Sequence, residues 1–290
     1  MPTSTIIPHL REFLPPESIL SAAEDLAPYE SDGLTAYRQM PMLVVIPETE
    51  AQVQQTLKLC HELAVPVVAR GAGTGLSGGA LPLANGVIVS LARIARVQPG
   101  VRNLAISQAV AVHQLYYAPD PSSQIACTIG GNVAENSGGV HCLKYGLTVH
   151  NVLRVRVITI DGEILEIGSE ALDSAGYDLL ALLTGSEGML AVITEVTVKL
   201  LPKPERAQVM LAAFDDVQKA GQAVGNIISA GIIPAGLEMM DTLAIQAAED
   251  FVHAGYPCDA AAILLCELDG TNEEVSEQIL QLHDILLNSG

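Results

Sequence analysis

The sequence has few aromatic residues and no tryptophan. Phe, Trp and Tyr together make up 3% of its 290 residues. Hydrophobic residues nevertheless reach 49%, so a disordered chain is excluded and the core must be built from Ala, Val, Ile and Leu. This length allows one large domain or two ordinary ones.

Positive charge is also scarce. The chain has 14 Lys and Arg against 33 Asp and Glu, which gives a net charge of -19. That charge repels nucleic acid and anionic membrane surfaces, so no nucleic-acid partner is expected. A small anionic ligand is still allowed, because a local cluster of backbone N–H groups can outweigh a distant net charge.

Long apolar runs, cysteine pairs and metal-binding motifs are missing as well. No stretch approaches the roughly 18 unbroken apolar residues of a transmembrane segment, so none is expected. The five cysteines form no C-x-x-C pair, which is typical of reduced thiols in a cytoplasmic protein. Cys127 and Cys142 lie in glycine-rich surroundings, where a small buried side chain is favoured over a catalytic thiol. The histidines form no H-x-H or H-E-x-x-H group, so no metal site is predicted.

Glycine is abundant in the stretch "VVARGAGTGLSGGALPLANGVIVSL", residues 67–91. Gly73, Gly75 and Gly78 spell G-x-G-x-x-G, the signature of a Rossmann dinucleotide-binding turn. A Rossmann turn opens a helix, whereas Pro82 and the Asn-Gly pair after it break any helix before the next strand. A plain flexible loop is the simpler alternative. The interleaved Thr and Ser residues favour a loop that holds a phosphate group through backbone N–H groups and hydroxyls.

Hydrophobic periodicity places a β-α-β unit before this loop. "MLVVIP" and "VPVVAR" read as strands, and the helix between them has Thr49 as its N-cap. A helix is predicted for residues 17–28, and "VLRVRVITIDGEILEI" predicts a hairpin. After "PKPE" the order becomes β-α-(α)-β-α, with "GLEMMD" predicted to open a helix. This second part reads as half of a small α+β domain.

Several segments together resemble a known family. They are "PETEAQVQQTLKLCHELAVPVVARGAGTGLSGGA", "RVQPGVRNLAISQ", "YYAPDPSSQIACTIGGNVAENSGGVHCLKYGLTVHNV", "GSEGMLAVITEVTVKLLPKP" and "AGIIPAGLEMMD". They resemble the vanillyl-alcohol oxidase (PCMH) flavoprotein superfamily. More narrowly, they resemble the FAD-linked subunits of the glycolate oxidase and D-lactate dehydrogenase type. The resemblance covers nearly the whole chain from about residue 25, and its long central segment is highly specific.

The resemblance implies an α+β fold in two parts. A PCMH-type FAD-binding domain of two α+β subdomains is expected over residues 1–203. A partial α+β cap domain, which is an incomplete substrate domain, is expected over residues 204–290.

The resemblance also implies a set of cofactor contacts. Residues 70–78 would wrap the FAD pyrophosphate, mainly through backbone N–H groups and the Ser77 hydroxyl. Asp120, Ser122 and residues 128–132 would line the isoalloxazine and ribityl side. Gly138 and the backbone of Ile193 would help to hold the nucleotide. The predicted cofactor-binding residues are Arg70, Gly71, Ala72, Gly73, Thr74, Ser77, Gly78, Asp120, Ser122, Thr128, Gly130, Gly131, Asn132, Gly138 and Ile193. The glycine loop lacks the histidine that this superfamily commonly links to flavin, so non-covalent FAD is expected.

The activity implied by the resemblance is FAD-dependent oxidation of a small 2-hydroxy acid, glycolate or D-lactate, by hydride transfer to flavin. Implied partners are a second flavin subunit and an iron–sulfur subunit. The implied location is cytoplasmic, with attachment to the inner membrane through those partner subunits. The alternative is a truncated FAD-binding or scaffold remnant with no catalytic activity of its own.

The chain departs from the family pattern at three places. Relatives continue beyond the equivalent of Gly290 into a part that supplies metal ligands and the catalytic base, so no catalytic residue is named and the isolated chain is not assumed to be active. Relatives also carry additional residues between the equivalents of Ile94 and Ala95, where they complete a strand hairpin. Ala191 stands where relatives usually have glycine. His141 and His150 flank a flavin-side segment, but structural roles are favoured for both.

Overall fold

A computed structural model of the chain describes residues 3–92, 99–169 and 176–289. Its helices are α1 Thr3–Leu10, α2 Ala23–Leu26, α3 Glu50–Glu62, α4 Asn103–Val110, α5 Ile129–Glu135, α6 Cys142–Tyr145, α7 Thr148–Asn151, α8 Leu179–Leu183, α9 Val217–Ser229, α10 Thr242–Val252 and α11 Asn272–Asn288. Its strands are β1 Ile19–Leu20, β2 Leu43–Val45, β3 Val67–Arg70, β4 Val87–Ser90, β5 Leu115–Tyr116, β6 Val152–Ile158, β7 Ile164–Gly168, β8 Val192–Val198, β9 Leu201–Pro202, β10 Arg206–Phe214, β11 Gly236–Asp241 and β12 Ala262–Gly270. This mixture of helices and strands agrees with the predicted α+β class.

The chain divides into two compact units. The first comprises Met1–Ser137 and Leu147–Leu201, and the second comprises Gly138–Gly146 and Pro202–Gly290. The short insertion of residues 138–146 therefore belongs to the second unit, although it lies within the sequence of the first.

One half of the first unit is a small sheet with strand order β1-β2-β4-β3. β2, β4 and β3 are parallel, and β1 runs antiparallel along the edge of β2. Parallel strands that follow each other in sequence need a crossover, and α3 supplies it between β2 and β3, which lie on either side of β4. α3 begins with a capping box in which the Thr49 side chain accepts from the Gln52 backbone and the Gln52 side chain accepts from the Thr49 backbone. Its apolar face, including Val53, Leu57 and Cys60, is buried in the core of this half.

The other half of the first unit is an antiparallel sheet with order β7-β6-β8. The predicted hairpin is confirmed: β6 and β7 pair from Ile158↔Ile164 outward, around a turn that contains Gly162 at a φ of +82°. The inner face of β6 and β8 packs with the buried side of α5, where Ile129 and Val133 enter the same core. This packing fixes α5, which carries the second glycine-rich segment.

The second unit is a three-stranded antiparallel sheet with order β10-β12-β11. Its core includes Phe214 from β10, Leu264 from β12, Ile227 from α9 and Leu282 from α11. α11 begins with a capping box between Thr271 and Glu274.

The inserted segment 138–146 is held to this sheet by polar contacts. The Asp269 side chain, 5% exposed, accepts from Lys144 Nζ at 2.5 Å and from Tyr145 Oη at 2.7 Å. His141 Nε2 lies 3.4 Å from Glu267 Oε2. The second unit thus depends on residues that precede most of its own sequence by more than fifty positions.

Two local predictions were wrong. Residues 17–28 are not one helix, because Ile19 and Leu20 pair with the edge of β2 and only residues 23–26 form an α-helical turn. "GLEMMD" is not the start of a helix but strand β11, which pairs along β12 from Gly236↔Glu267 to Asp241↔Ala262. The helix begins one residue later, where the Asp241 side chain caps α10 by accepting from the Ala244 backbone. In both cases pairing with a distant strand overrides the local preference.

The shortened run between Ile94 and Ala95 lies outside the described residues. None of the helices in the described ranges combines the length and apolar character needed to cross a membrane.

Candidate functional site

A cavity of about 320 Å³ lies in the first unit, between the loop that follows β3 and the start of α5. Ten of the predicted cofactor-binding residues line it: Arg70, Gly71, Ala72, Gly73, Thr74, Thr128, Gly130, Gly131, Asn132 and Ile193. Two glycine-rich segments that are more than fifty residues apart therefore meet around one space, together with the first strand residues of β8.

Five predicted residues are not among those that line this cavity: Ser77, Gly78, Asp120, Ser122 and Gly138. Gly138 belongs to the second unit. The roles of all fifteen residues in cofactor binding stay predictions.

The cavity is also lined by residues outside the predicted cofactor-binding set. They are Ala69, Gly75, Leu76, Gly79, Ala80, Leu91, Pro99, Ser123, Cys127, Ala134, Glu135, Ser137, Glu187, Gly188, Ala191 and Val192. Glu135 and Glu187 are the unexpected members, because acidic side chains are not anticipated beside a phosphate-binding loop. Glu135 lies in the second glycine-rich segment, within "NVAENSGG", but it was not among the predicted residues.

The backbone of the glycine loop is rich in unused donors. The N–H groups of residues 71–77 donate to no acceptor within the described ranges, whereas Leu81 N–H already bonds to Gly78 O at 3.0 Å. Backbone N–H groups are rarely left without partners. A row of such donors along a turning loop is a recognised arrangement for binding an anion.

Close packing explains why glycine occupies position 71. A Cβ placed on Gly71 would lie 2.5 Å from Thr128 Oγ1, closer than real side-chain contacts come. Gly73 has a φ of +69°, and a Cβ there would lie 2.4 Å from the Arg70 guanidinium. The loop can therefore approach both α5 and Arg70 only because these positions lack a side chain.

Arg70 links the glycine loop to the segment that precedes β2. It is 8% exposed, its guanidinium donates to Ser31 O at 2.8 Å, and it lies 5.4 Å from the centre of the Tyr29 ring. Burial lowers the pKa of Arg70, and the negative charge of Asp32 acts in the opposite direction. Asp32 itself is buried, and its Oδ2 has no hydrogen-bond partner among the described residues. This support gives Arg70 a structural role in addition to its place in the cavity wall.

A chain of side-chain amides anchors α5. Asn132 Nδ2 donates to Asn103 Oδ1 at 2.8 Å, and Asn103 Nδ2 donates to Pro119 O at 2.8 Å. Both asparagines are almost fully buried. This link holds α5 against α4 and against the loop that precedes α5.

The other acidic side chains of this region change the pKa of Glu135. Burial and the neighbouring charges of Glu187 and Asp32 raise the pKa of Glu135, while a hydrogen bond from Ser77 lowers it. Glu187 is held close by its backbone, which has a φ of +52° and donates to Ala134 O at 2.8 Å.

The other candidate groups take structural positions. Cys127 is buried at 4% exposure, and Cys142 lies in the second unit. His150 Nδ1 accepts from the Leu147 backbone at 3.0 Å, and His141 pairs with Glu267, so both histidines have the structural roles favoured from the sequence. The described part of the chain contains no cluster of His, Cys, Asp and Glu suited to a metal ion.

Comparison with protein families identifies both parts of the chain. The model described as "FAD binding domain" matches residues 41–168. The model described as "FAD linked oxidases, C-terminal domain" matches residues 203–290. Together the two matches cover most of the chain and confirm FAD as the cofactor.

The chain is similar in sequence to several curated proteins. It is 65% identical over 299 residues to the glycolate oxidase subunit GlcD of Escherichia coli K12, covering 99% of this chain and 60% of that protein. It is 40% identical to the same-named subunit of Bacillus subtilis strain 168, covering 89% and 57%. It is 32% identical to a D-lactate dehydrogenase of Anaerostipes hadrus, covering 95% and 62%. The alignment with the E. coli protein is longer than this chain, so that relative carries residues that this chain lacks.

Solved structures show the same fold at much lower identity. Alkyldihydroxyacetonephosphate synthase superposes with a TM-score of 0.84 at 20% identity, covering 100% of this chain and 60% of that one. p-Cresol methylhydroxylase superposes with a TM-score of 0.83 at 18% identity, covering 98% and 64%. The predicted PCMH-type fold is thereby confirmed.

The chain spans about three fifths of the length of the curated relatives it matches. Its two matched domains, its sequence identity and its fold agree with one another. The chain therefore belongs to the FAD-linked oxidase family, with an FAD binding domain followed by the C-terminal domain of these oxidases.

Proposed function

We propose that this chain is the FAD-binding part of a flavoenzyme that oxidises a small 2-hydroxy acid of the glycolate or D-lactate kind. The glycine loop carries this proposal, because the N–H groups of residues 71–77 donate to no acceptor within the described ranges and residues 71–76 line the cavity together with residues of α5. The names of the similar proteins, glycolate oxidase subunit and D-lactate dehydrogenase, supply the substrate class.

The glycine loop would hold the diphosphate of FAD. Its N–H groups need an acceptor, and a diphosphate offers several negatively charged oxygens to a short stretch of backbone. Gly71 and Gly73 let the backbone reach the ligand without an intervening side chain. Arg70 beneath the loop and the Asn132–Asn103 link beneath α5 keep the two walls in place, so little ordering is needed on binding.

The apolar part of the cavity would take a flat ring system. Leu91, Ala191, Val192 and Ile193 lie along one side of it and exclude water from that surface. When bound, flavin would supply the redox chemistry as the hydride acceptor for oxidation of the hydroxy acid. The residues of this chain contribute position and electrostatics.

Non-covalent attachment is part of the proposal. No histidine lies among the described residues that line the cavity. A flavin held by backbone donors and apolar contacts alone would be released when the protein is denatured.

Partners and location are also proposals. The word "subunit" in the names of the E. coli and B. subtilis relatives places those proteins in assemblies. By analogy, this chain would pass electrons to a second flavin subunit and an iron–sulfur subunit, and would reach the inner membrane only through them. The division into an FAD-binding part over 1–203 and a partial cap over 204–290 belongs to the same proposal.

The first test is an absorption spectrum of the purified chain before and after incubation with FAD and removal of the excess. Bands near about 370 and about 450 nm that elute with the protein, and separate from it on denaturation, are the expected result. A protein that retains no flavin would contradict the proposal.

A second measurement separates the enzyme from the FAD-binding remnant. Reduction of a dye acceptor with glycolate or D-lactate by the loaded chain would show that it turns over on its own. Flavin binding without dye reduction would support the remnant alternative. Restoration of dye reduction by added partner subunits would show that the chain is part of an active enzyme.

A further inference from the structure

The Glu135 carboxylate lies against the glycine loop from the side of α5. Its Oε1 is 3.1 Å from the position that a Cβ on Gly75 would occupy and 2.8 Å from that of a Cβ on Gly79. Glu135 is also among the residues that line the cavity. A side chain that ends with its charge at the loop proposed to bind a diphosphate calls for an explanation, because two negative groups repel each other.

The other charged groups facing Glu135 increase this conflict. Glu187 approaches from the loop after α8, with Oε2 3.3 Å from the Cβ position of Gly79, and Asp32 acts from the segment before β2. Both are acids, and both raise the pKa of Glu135. Among the described residues that line the cavity, Arg70 is the one cation, and its guanidinium is engaged with Ser31 O, Tyr29 and the charge of Asp32.

The only group within the described ranges that lowers the pKa of Glu135 is the Ser77 hydroxyl, which donates a hydrogen bond to it. A hydroxyl has one proton to donate. While Glu135 is ionised, Ser77 gives that proton to the carboxylate and has none to offer a phosphate oxygen. When Glu135 is protonated, its own O–H can donate to Ser77, and the Ser77 hydroxyl becomes free to donate to the ligand.

We propose that Glu135 is a further binding determinant of this site: it takes up one proton when the FAD diphosphate binds, and so makes the affinity for FAD depend on pH. The inference rests on the proposed function. The proton comes from the solvent, adds to the Glu135 carboxylate and leaves again when FAD dissociates, so no other reactant is required.

The direction of the effect follows from linkage. A nearby diphosphate disfavours the ionised carboxylate, so the pKa of Glu135 is higher in the complex than in the free protein. Affinity is then greatest at pH values below the pKa of the free protein, falls as the pH rises through the interval between the two values, and levels off above the pKa of the complex. With a single proton involved, the dissociation constant rises by up to about tenfold for each pH unit within that interval.

The test is a titration of the apoprotein with FAD from about pH 5 to about pH 9, followed by flavin fluorescence. Calorimetry in buffers of different ionisation enthalpy counts the protons taken up at each pH. The unaltered chain is expected to bind more weakly at higher pH, with net proton uptake in the sloping region. Glu135→Gln should bind with little dependence on pH and more tightly than the unaltered chain at the alkaline end. Glu62→Gln, at an exposed glutamate at the end of α3, is the matched control and should follow the unaltered chain.

A second variant keeps the test decisive if Glu135→Gln does not fold. Glu187→Gln removes a like charge that raises the pKa of Glu135, so the sloping region should move to lower pH. An unaltered chain without a slope, or a slope that persists in Glu135→Gln, would overturn the inference. Uniformly weaker binding by Glu135→Gln would overturn it as well, because it would mean that the ionised carboxylate accepts a hydrogen bond from a hydroxyl of FAD. Absence of FAD binding at every pH in all variants would instead refute the proposed function, and the inference with it.

Discussion

The hydroxyl oxygen of Thr128 occupies the space that a side chain on Gly71 would need. The distance from Oγ1 to the Cβ position is 2.5 Å, while Cβ and Cγ2 of Thr128 stay at 3.7 and 3.9 Å. Only one atom is therefore in conflict. Because Gly71 begins the loop and Thr128 immediately precedes α5, this contact sets the distance between the two walls of the cavity.

We expect Gly71→Ala to weaken FAD binding by about tenfold or more, since a loop displaced by a fraction of an ångström misplaces several donors at once. The measurement is a fluorescence titration with FAD, with circular dichroism to confirm that the chain folds. The double variant Gly71→Ala with Thr128→Ala removes the conflicting atom and should recover part of the affinity relative to Thr128→Ala alone. Equal losses in the presence and absence of the Thr128 hydroxyl would contradict this explanation.

The opposite result is expected for a glycine with free space around it. Gly221 lies in the interior of α9, and no heavy atom comes within 4 Å of its Cβ position. Gly221→Ala should raise the free energy of unfolding by about 0.5–1 kcal/mol, because alanine loses less backbone entropy than glycine on forming a helix. Urea denaturation measures the change, and FAD affinity should not move. A destabilised variant would show that a side chain at position 221 meets neighbouring atoms.

The glycine loop and α5 could be predicted from the sequence because both are short continuous segments. Their residue types indicate the structure directly. Glycines are needed where the backbone comes close to other atoms, and the backbone N–H groups of such a loop have no partners within it. The prediction that no helix forms between the glycine loop and the next strand was also correct, since the chain passes Pro82 and a turn before it enters β4.

Glu187 and the buried segment around Asp32 could not be found in the same way. Tertiary packing brings Glu187 to the cavity and Asp32 near Glu135, from parts of the sequence distant from α5. The acidic charge of the two glutamates also counts against a phosphate site unless a proton is considered. The β11 strand was missed for a related reason, because its pairing partner β12 lies about twenty residues further along the chain.

Asp269 is expected to be important for the stability of the second unit. Its buried carboxylate accepts from Lys144 and Tyr145, both on the inserted segment 138–146. Asp269→Ala should destabilise the protein by about 3 kcal/mol, since it removes the carboxylate and leaves the Lys144 ammonium with the main-chain oxygen of residue 269 as its acceptor. Tyr145→Phe removes one hydrogen bond and should cost about 1 kcal/mol.

Urea denaturation followed by circular dichroism tests both changes. Asp215→Asn is a suitable control, because the Asp215–Lys219 pair is exposed on the surface and is expected to have no measurable effect on the midpoint. If Asp269→Ala unfolded at the same urea concentration as the control, the inserted segment would not be held by this carboxylate.

The stability of the protein in acid is expected to depend on the Glu50 carboxylate at the start of α3. Burial by itself would raise the pKa of Glu50, but hydrogen bonds from Arg156 and Thr194, both at 2.8 Å, lower it below its ordinary value of 4.5. A carboxyl group whose pKa is lower in the folded state stabilises the fold above its unfolded pKa, and this contribution disappears as the pH falls through the folded value.

The unaltered chain should therefore be more stable than Glu50→Gln at neutral pH, and the difference should shrink as the pH is lowered from 4.5 through the folded pKa of Glu50. Comparing urea midpoints of the two proteins at successive pH values cancels the contributions of the other acidic groups. Glu62→Gln should track the unaltered chain throughout. A difference between Glu50→Gln and the unaltered chain that stayed constant with pH would mean that the contact acts through packing and not through charge.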